Sequence, residues 1–455
     1  MCRFLALFSV KKCIFEHIFP KDTNLNLFPS IEYASPAEIR SLQEQKLAEL
    51  LKYLQDHSVF YQRMFSANGI NVENIRKLED LQRLPLTSKS DLQQYNHDFF
   101  CVPGHKIVDY STTSGTLGDP VTFGLSDSDL ERLAYNEAIS FACAGIKEGD
   151  LVQMMTTIDK RFMAGLAYFL GLRKMGAGVI RMGPGIPELQ WDSILRYKPK
   201  WLITVPSFLL KMIEFAENHG IDYRNSSVYG AVCIGESLRE QDFTDSALSR
   251  KIGEKWGIRL FSTYASTEMS TAFAECGLQQ GGHQHPELII TEILDENGEP
   301  VLPGETGELV VTTLGVEALP LLRFKTGDLV TAHHEPCGCG RTTIRLGPVV
   351  GRKQHMIKYR GTTLYPPALN DILNDFDGIT IYQIVIRTNS IGTDEIIVKI
   401  STDEKREDLL NEVKDRFRAK LRVSPKIEII PAEELTLQVH NPKSRKPLHF
   451  LDLRL

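Results

Sequence analysis

A run of hydroxyl side chains and glycines occupies residues 111–120, which read Ser-Thr-Thr-Ser-Gly-Thr-Leu-Gly-Asp-Pro. Glycines let the backbone approach an anion closely, and successive N–H groups can form a concave nest of donors. No Gly-Lys-Ser/Thr follows, so the run is not a Walker-type loop. It predicts a phosphate-binding loop, and composition alone leaves a polar surface loop as the alternative. The candidate phosphate-binding residues are Ser111, Thr112, Thr113, Ser114, Gly115 and Thr116.

Cysteine and histidine form a second set of residues that could do chemistry. Cys337 and Cys339 flank a single glycine, and Cys276 and His283 lie upstream of them. Three thiolates and one imidazole suit a tetrahedral zinc ion, and four protein ligands would leave no position open for catalysis. The sequence therefore predicts a structural zinc site. The alternative is a pair of reduced cysteines in a glycine-rich turn. Other histidines compete for the fourth position: His285, His333 and His334.

Length and composition bound the class of protein. A chain of 455 residues is long enough for two or more domains. The net charge of −6, from 52 basic and 58 acidic residues, gives no basic footprint for nucleic acid. No apolar run reaches the length of a membrane span, so we expect no membrane association. Eight scattered cysteines fit a reducing compartment, which predicts a cytoplasmic protein. The sequence does not decide the oligomeric state, and a homodimer is one alternative.

Alternating strands and helices follow from about residue 150 and indicate an α/β fold with a parallel sheet covered by helices. The predicted strands are 151–155, 178–182, 201–205, 228–234 and 259–264, and the predicted helices are 161–175, 188–197, 207–218 and 238–255. In such sheets ligands bind beyond the carboxyl ends of the strands. Gly235-Glu236-Ser237 and Glu268 each follow a predicted strand, so they are candidates for binding.

The pattern changes towards the C-terminus. Alternating residues in 288–294 and 307–313 predict antiparallel strands of a small β subdomain, joined by a turn at 295–298. Past residue 350 we expect a small α+β domain. Its predicted elements are helices at 366–375 and 403–422 and strands at 380–387, 394–401 and 426–430.

Three segments follow from this division of the chain. Residues 1–34 are predicted to be a leader, poorly ordered. Residues 35–350 form the large N-terminal domain, whose first helix opens with a capping box at Ser35 and Glu38. Residues 351–455 form the small C-terminal domain.

The loop at 111–120 resembles the phosphate loop of the adenylate-forming superfamily of acyl-CoA synthetases, peptide-synthetase adenylation domains and luciferases. Four further motifs of that superfamily follow in the same order. Residues 264–268, Tyr-Ala-Ser-Thr-Glu, resemble its aromatic-x-x-Thr/Ser-Glu motif, and 323–328 its Thr-Gly-Asp motif. Gly351-Arg352 is similar to its hinge, and Lys446 falls where its C-terminal catalytic lysine does.

A finer resemblance is to the phenylacetate–CoA ligase branch and its relatives that adenylylate a deazaflavin coenzyme. Glu275-Cys276, His283 and the segment 335–341, Glu-Pro-Cys-Gly-Cys-Gly-Arg, carry it. The resemblance covers about residues 35–455. The chain departs from the superfamily at Gln354, where Asp or Lys is usual, and at Val121, where Lys is common.

The resemblance implies an enzyme that uses ATP to activate a carboxylic acid, such as phenylacetate, as an acyl-adenylate. It then transfers the acyl group to coenzyme A and releases AMP and pyrophosphate. The implied cofactors are Mg²⁺ and structural Zn²⁺ (Cys276, His283, Cys337 and Cys339), and the partners are small molecules. It also implies that residues 351–455 are a mobile lid, which delivers Lys446 to the reacting carboxylate and α-phosphate.

Each implied role attaches to a particular residue. Glu268 would hold Mg²⁺, Tyr264 would stack near adenine, and Asp328 would accept hydrogen bonds from the ribose hydroxyls, with a second contact from Arg352. The catalytic positions are Lys446, Glu268 and Thr113. The remaining nucleotide contacts are Ala265, Ser266, Thr267, Gly235, Glu236 and Ser237.

Two other functions stay open. One is an adenylating enzyme with another acceptor, either a carrier-protein thiol or a deazaflavin coenzyme. The other is a nucleotide- or zinc-binding protein without catalysis. For single residues the alternatives are ordinary ones: a solvated loop acid at Glu268, a strand-end turn at 235–237 and a solvated lysine at Lys446.

Overall fold

The computed structural model describes residues 26–113, 121–359, 362–388, 394–402, 407–440 and 447–454. The chain divides into two compact units. The first contains residues up to Glu236, Lys255–Thr326 and Thr331–Gly347, and the second contains Ser237–Glu254, Gly327–Val330 and Pro348–Leu455. The predicted boundaries at 34/35 and 350/351 stay predictions of domain organisation.

Three helices begin the first unit: α1 (Pro36–His57), α2 (Val59–Ala67) and α3 (Lys89–Phe99). The predicted capping box is present, since Ser35 Oγ accepts from the Glu38 N–H and the Glu38 carboxylate accepts from the Ser35 N–H. Leu47 and Leu54 of α1 are fully buried, as their helical spacing predicts. Ahead of α1, residues Ser30–Tyr33 form a 3₁₀ turn in which Glu32 is buried, so this part of the predicted leader is folded.

Five parallel strands form one half of the main sheet, in the spatial order β7-β6-β5-β3-β4. They are β3 (Leu151–Met154), β4 (Gly178–Arg181), β5 (Trp201–Thr204), β6 (Gly230–Cys233) and β7 (Arg259–Ser266). The helices between them are α4 (Asp127–Ala144, before β3), α5 (Met163–Lys174), α6 (Pro187–Tyr197) and α7 (Pro206–Asn218). Both α/β fold class and these strand positions are confirmed.

Antiparallel strands extend this sheet beyond β7, so the sheet is mixed. The added strands are β8 (Thr271–Glu275), β9 (Gly282–His283), β10 (Ile289–Leu294), β11 (Thr306–Thr313), β12 (Phe324–His333) and β13 (Arg345–Leu346). The predicted antiparallel pair is β10 with β11. Its turn forms because the Asp295 carboxylate accepts from the N–H groups of Asn297 and Glu299. A separate hairpin joins β1 (Ile107–Thr112) to β2 (Thr122–Ser126).

One predicted helix is shorter than expected. The prediction of 238–255 is wrong for residues 238–246, because α8 spans only Ala247–Trp256. Local side chains hold the preceding segment in a turn: Asp242 accepts from the backbone and hydroxyl of Thr244, and Arg239 pairs with Asp245. Phe243 takes a positive φ of 65°, which a helix does not allow.

The second unit contains a four-stranded sheet in the order β19-β18-β17-β20. The sheet strands are β17 (Ile381–Thr388), β18 (Asp394–Ser401), β19 (Lys426–Ile429) and β20 (Phe450–Asp452). The other elements from residue 351 onward are β14 (Gly351–Arg352), β15 (Ile357–Tyr359), β16 (Thr362–Leu364), α9 (Pro366–Asn374), α10 (Glu407–Leu421) and α11 (Ala432–Val439). Val413 and Phe417 of α10 are fully buried in this unit's core. The predicted α+β character is therefore present. Within the described residues, we find no helix long and apolar enough to cross a membrane.

Close packing of α4 on α5 depends on a residue without a side chain. A Cβ added at Gly171 would overlap Glu137 and lie 3.0 Å from the backbone nitrogen of Ala138.

Gly171→Ala is therefore expected to destabilise the chain by about 1–3 kcal/mol in urea unfolding. Gly253→Ala is the matched control, since that exposed glycine of α8 has open space around it. The control should be neutral or raise the free energy of unfolding by up to about 1 kcal/mol. Equal stability of the two variants would contradict this packing.

Candidate active site and cysteine cluster

The start of the phosphate loop is a buried stem. Ser111 and Thr112 end β1, paired with Phe123 and Thr122 of β2. At Thr113 the backbone N–H donates to the Val121 carbonyl at 3.1 Å, and Thr113 Oγ1 accepts from the Val121 N–H at 3.1 Å. The hydrogen bonds between Thr113 and Val121 close the base of the loop. Three predicted residues lie outside the described part of the chain: Ser114, Gly115 and Thr116.

The predicted Thr-Glu motif lies at the tip of the β7–β8 hairpin. Ser266 pairs with Thr271, so Thr267 and Glu268 fall in the connecting turn. Ser266 Oγ accepts from the Met269 N–H at 3.3 Å, and the Ser270 hydroxyl donates to the Thr267 carbonyl at 3.3 Å. The Glu268 side chain is partly exposed there, beyond the carboxyl end of β7, as predicted.

Tyr264 and Ala265 precede this turn within β7. The Tyr264 ring lies 6.0 Å from that of Phe273 on β8, in a tilted arrangement, and its side chain is only partly buried. Ala265 is exposed. Tyr264 is thus a partly accessible aromatic ring, a side chain of the kind that stacks on a planar base.

A buried guanidinium holds the Thr-Glu turn in place through hydrogen bonds, and the sequence did not predict it. Arg132 of α4 donates through Nη1 to the Ser270 carbonyl at 2.5 Å and through Nη2 to Thr271 Oγ1 at 3.0 Å. Its Nε bonds the Leu314 carbonyl, and Nη2 also bonds the carbonyl of Leu288, both at 2.7 Å. Burial lowers the pKa of Arg132 to about 10, so it remains charged at neutral pH. Four acceptors thereby fix the strand ends around the Thr-Glu turn.

Of the predicted nucleotide-contacting residues 235–237, the first two belong to the first unit. Gly235 follows β6 with a φ of 79°, and Glu236 accepts from the backbone N–H and hydroxyl of Ser207, at 2.8 and 2.7 Å. Since Ser207 lies in the first turn of α7, this carboxylate caps the helix. Ser237 belongs to the second unit, where its hydroxyl donates to the Arg239 carbonyl at 2.8 Å.

Asp328 and Arg352 meet in the second unit. They face each other across the antiparallel pair of β12 and β14, and Arg352 Nε lies 3.1 Å from Asp328 Oδ1. The Asp328 side chain is nearly buried, while that of Arg352 is 43% exposed. The two residues that the sequence predicts at the ribose are therefore neighbours.

The predicted catalytic lysine, Lys446, lies outside the described residues.

All four predicted metal ligands converge in the first unit. The ligand atoms of Cys276, His283, Cys337 and Cys339 lie within 4.8 Å of one another. The Sγ atoms of Cys276 and Cys337 are 3.8 Å apart, and Cys339 Sγ lies 3.6 Å from His283 Nε2. Tetrahedral zinc, with Zn–S of about 2.3 Å and Zn–N of about 2.0–2.1 Å, spaces such atoms by about 3.8 and 3.6 Å. The cluster therefore fits a tetrahedral ion.

Burial and nearby hydrogen bonds set the protonation of the predicted metal ligands. His283 Nδ1 lies 3.1 Å from Thr343 Oγ1, so a proton donated there leaves Nε2 free to bind. Burial raises the pKa of the Cys339 thiol, but hydrogen bonds from His283 and Arg341 outweigh it and lower that pKa to about 5. Burial raises the pKa of Cys276 to about 12. Cys339 thus ionises more readily than Cys276, and the thiolate is the form that binds metal.

Comparison with known proteins settles the family. The model of the AMP-binding enzyme family matches residues 71–317, and that of the AMP-binding enzyme C-terminal domain matches residues 361–454. This chain belongs to the AMP-binding enzyme family. The match covers both the phosphate loop and the Thr-Glu turn in its first part, and Lys446 in its second.

Relatives and solved structures agree with this family. Phenylacetate-coenzyme A ligase of Thermus thermophilus is 32% identical over 383 residues, covering 83% of this chain and 84% of the relative. The enzyme of that name from Escherichia coli is 30% identical over 427 residues, 90% of this chain and 94% of the relative. A 2-hydroxyisobutyryl-CoA ligase bound to 2-HIB-AMP in the postadenylation state is similar in structure, with a TM-score of 0.83 and 25% identity over 96% of this AMP-binding enzyme and 94% of that chain.

Proposed function

We propose that this AMP-binding enzyme is an acid–coenzyme A ligase that acts on an aryl acid such as phenylacetate. The observation that carries the proposal is the similarity to phenylacetate-coenzyme A ligases over most of both chains, together with the motif residues beyond the carboxyl ends of the parallel strands. The names of these relatives favour coenzyme A over another acceptor. The family match, and the presence of the motif residues Glu268, Asp328, Arg352 and Lys446 together, disfavour a protein without catalysis.

The reaction has two steps. In the first, a carboxylate oxygen of the acid attacks the α-phosphorus of ATP, the bond to pyrophosphate breaks, and the acyl-adenylate forms. In the second, the thiol sulfur of coenzyme A attacks the acyl carbon, the bond to AMP breaks, and the thiol proton leaves to solvent. Because ATP and the acid are both anions, the enzyme must align them and neutralise their charge.

Residues of the first unit would bind the phosphates and adenine. The glycine-rich loop that begins at Thr113 supplies N–H and hydroxyl donors to the phosphates. Glu268 fits as a ligand of Mg²⁺, since its carboxylate is partly exposed on a turn that Arg132 fixes. When bound there, Mg²⁺ would offset phosphate charge. Tyr264 would stack on adenine beside the backbone of 235–236.

Residues of the second unit would bind the ribose and act on the reacting centre. A carboxylate offers several lone pairs, so Asp328 would accept from ribose hydroxyls while it keeps Arg352 in place. Ser237 would add a contact to the nucleotide. Lys446 would place its ammonium between the carboxylate and the α-phosphate, where negative charge is shared in the transition state.

Pyrophosphate exchange and product analysis test the function directly. With ATP and Mg²⁺, phenylacetate should drive exchange of labelled pyrophosphate into ATP without coenzyme A. Addition of coenzyme A should produce the thioester and AMP in equal amounts. Binding of ATP with no acid-dependent exchange, over a panel of aryl and short aliphatic acids, would contradict the proposal.

The role of Lys446 separates the two half-reactions. Lys446→Ala should abolish acid-dependent pyrophosphate exchange, because no cation then bridges the carboxylate and the α-phosphate. Thioester formation from supplied phenylacetyl-adenylate and coenzyme A should survive. Lys443→Ala is the control, since it removes a nearby lysine of the same segment, and it should leave both half-reactions intact. Equal loss of both half-reactions in Lys446→Ala would show that the assignment is wrong.

We also propose that the cysteine cluster holds a structural zinc ion. Its support is the convergence of three sulfurs and one imidazole nitrogen within 4.8 Å, with one S–S and one S–N distance at the values that tetrahedral zinc requires. Metal analysis of the purified enzyme should find about one zinc per chain. Cys337→Ser should lose it, whereas Cys101→Ser changes a buried cysteine outside the cluster and should retain it. A stable, active enzyme free of metal would remove the site.

A further inference from the structure

The 3₁₀ turn at Ser30–Tyr33 packs against the cysteine cluster through one carboxylate. Glu32 is fully buried. Its Oε2 accepts from Arg341 Nε at 2.6 Å, and its Oε1 lies 2.5 Å from His285 Nδ1. A buried carboxylate is stable only when such partners satisfy it, so its two oxygens are committed to these two side chains.

Each partner of Glu32 lies close to a predicted metal ligand, either in space or in sequence. Arg341 Nη1 lies 3.7 Å from Cys339 Sγ, and the Arg341 carbonyl accepts from the Cys337 N–H at 2.9 Å. His285 follows His283 by two residues, at the end of the segment that begins with β9. One carboxylate thus joins the two separate segments that supply ligands to the cluster.

Backbone and ring contacts strengthen this junction. The Thr342 N–H donates to the Glu32 carbonyl at 2.9 Å, and the Thr342 hydroxyl donates to the Ala34 carbonyl at 2.5 Å. The Arg341 guanidinium lies 5.2 Å from the centre of the Tyr33 ring, which is a cation–π distance. The turn is therefore fixed to the Cys337–Thr343 segment at several points.

The same residues include an arrangement that resembles a nucleophilic triad. His285 Nε2 lies 2.9 Å from Ser140 Oγ, so serine, histidine and glutamate follow in hydrogen-bonded order. Ser140 is 2% exposed and the other two are fully buried, which leaves a substrate no access to the hydroxyl. The array therefore positions the segment of His285 and does not catalyse.

Charge also argues for a link to a bound metal. Three thiolates and one Zn²⁺ carry a net charge of −1, and the Arg341 cation lies beside one of those sulfurs. Arg341 is 4% exposed and lies between two anions, the Glu32 carboxylate and the proposed metal–thiolate centre. Neutralising Glu32 would replace its charge-assisted hydrogen bond from Arg341 Nε with a weaker one, so Arg341 would be held less firmly against Cys339.

We propose that Glu32 is a positioning residue of the metal centre, which holds Arg341 against Cys339 and His285 beside His283 and so slows loss of the metal. The inference rests on the proposed zinc site. It makes the turn at 30–33, which lies before the predicted start of the N-terminal domain, part of that centre. Groups that orient metal ligands in this way typically change metal affinity by about 10–100-fold when removed.

Zinc transfer from the full-length enzyme to a chromogenic chelator, 4-(2-pyridylazo)resorcinol, tests the proposal. Glu32→Gln keeps the size of the side chain and removes its charge, and it should release zinc about 10–100-fold faster than the wild type. Iodoacetamide should alkylate Cys339 correspondingly faster, as followed by mass spectrometry. Glu73→Gln is the matched control, because Glu73 is exposed in the 3₁₀ turn Val72–Asn74 and makes none of these contacts. It should behave as the wild type does.

A second variant keeps the proposal testable if Glu32→Gln does not fold. Arg341→Lys keeps the charge but loses the fork that joins Glu32 to Cys339, and it should also release zinc faster. If both variants fold, the double variant should be no faster than the faster single one, because both break one network. Wild-type transfer rates in a folded Glu32→Gln or Arg341→Lys enzyme would overturn the proposal.

The two proposals fail in different ways. A wild-type enzyme that carries no zinc and takes up none on addition of Zn²⁺ would remove the metal site. Alkylation of the metal-free chain would then decide the role of Glu32. Unchanged alkylation of Cys339 in Glu32→Gln would overturn it, and faster alkylation would support Glu32 as the residue that holds this segment closed.

Discussion

One buried cation joins the parts of the first unit on which the proposed chemistry depends. Arg132 donates to acceptors at Ser270, Thr271, Leu288 and Leu314, which belong to three separate stretches of chain. A guanidinium is suited to this because its donors lie in a fixed plane and it keeps its charge when buried. Asn136, one helical turn later on α4, accepts from the Ala272 N–H at 3.1 Å and adds to the same anchor. The Thr-Glu turn is thereby placed by side chains far away in sequence.

β8 connects this anchor to the cysteine cluster. The strand begins at Thr271, which Arg132 binds, and ends at Glu275, directly before Cys276. Its partner β9 carries His283. A metal ion held by Cys276 and His283 would fix the far end of the strand pair while Arg132 fixes the near end. This gives a structural ion a physical connection to the turn of Glu268, although the ion would take no part in the reaction.

Much of this arrangement was predictable from sequence, because its signals are local. The parallel strands follow apolar runs, the turn at Asp295 follows from its own side chain, and the four cysteine-cluster residues could be named from residue type and resemblance. The predicted helix over 238–246 failed because local contacts, those of Asp242 with Thr244 and of Arg239 with Asp245, hold this segment in a turn.

The missed residues act over long range. β8, β9 and β13 are short strands with no period of their own. Arg132 could have been noticed as the single cation of its helix, whereas nothing in the sequence connects Glu32 to Arg341. Such pairs become visible only when the fold brings them together. The structure therefore adds how the site is held in place, whereas the sequence indicates which groups it contains.

A crystal structure of the full-length enzyme with a non-hydrolysable phenylacetyl-adenylate analogue tests the proposed site most directly. We expect residues 111–118 to surround the phosphate mimic, Tyr264 to lie against the adenine, and the Glu268 carboxylate to face the phosphate side of the ligand. A ligand bound elsewhere, or a loop at 111–118 that points away from the ligand and from Glu268, would contradict it.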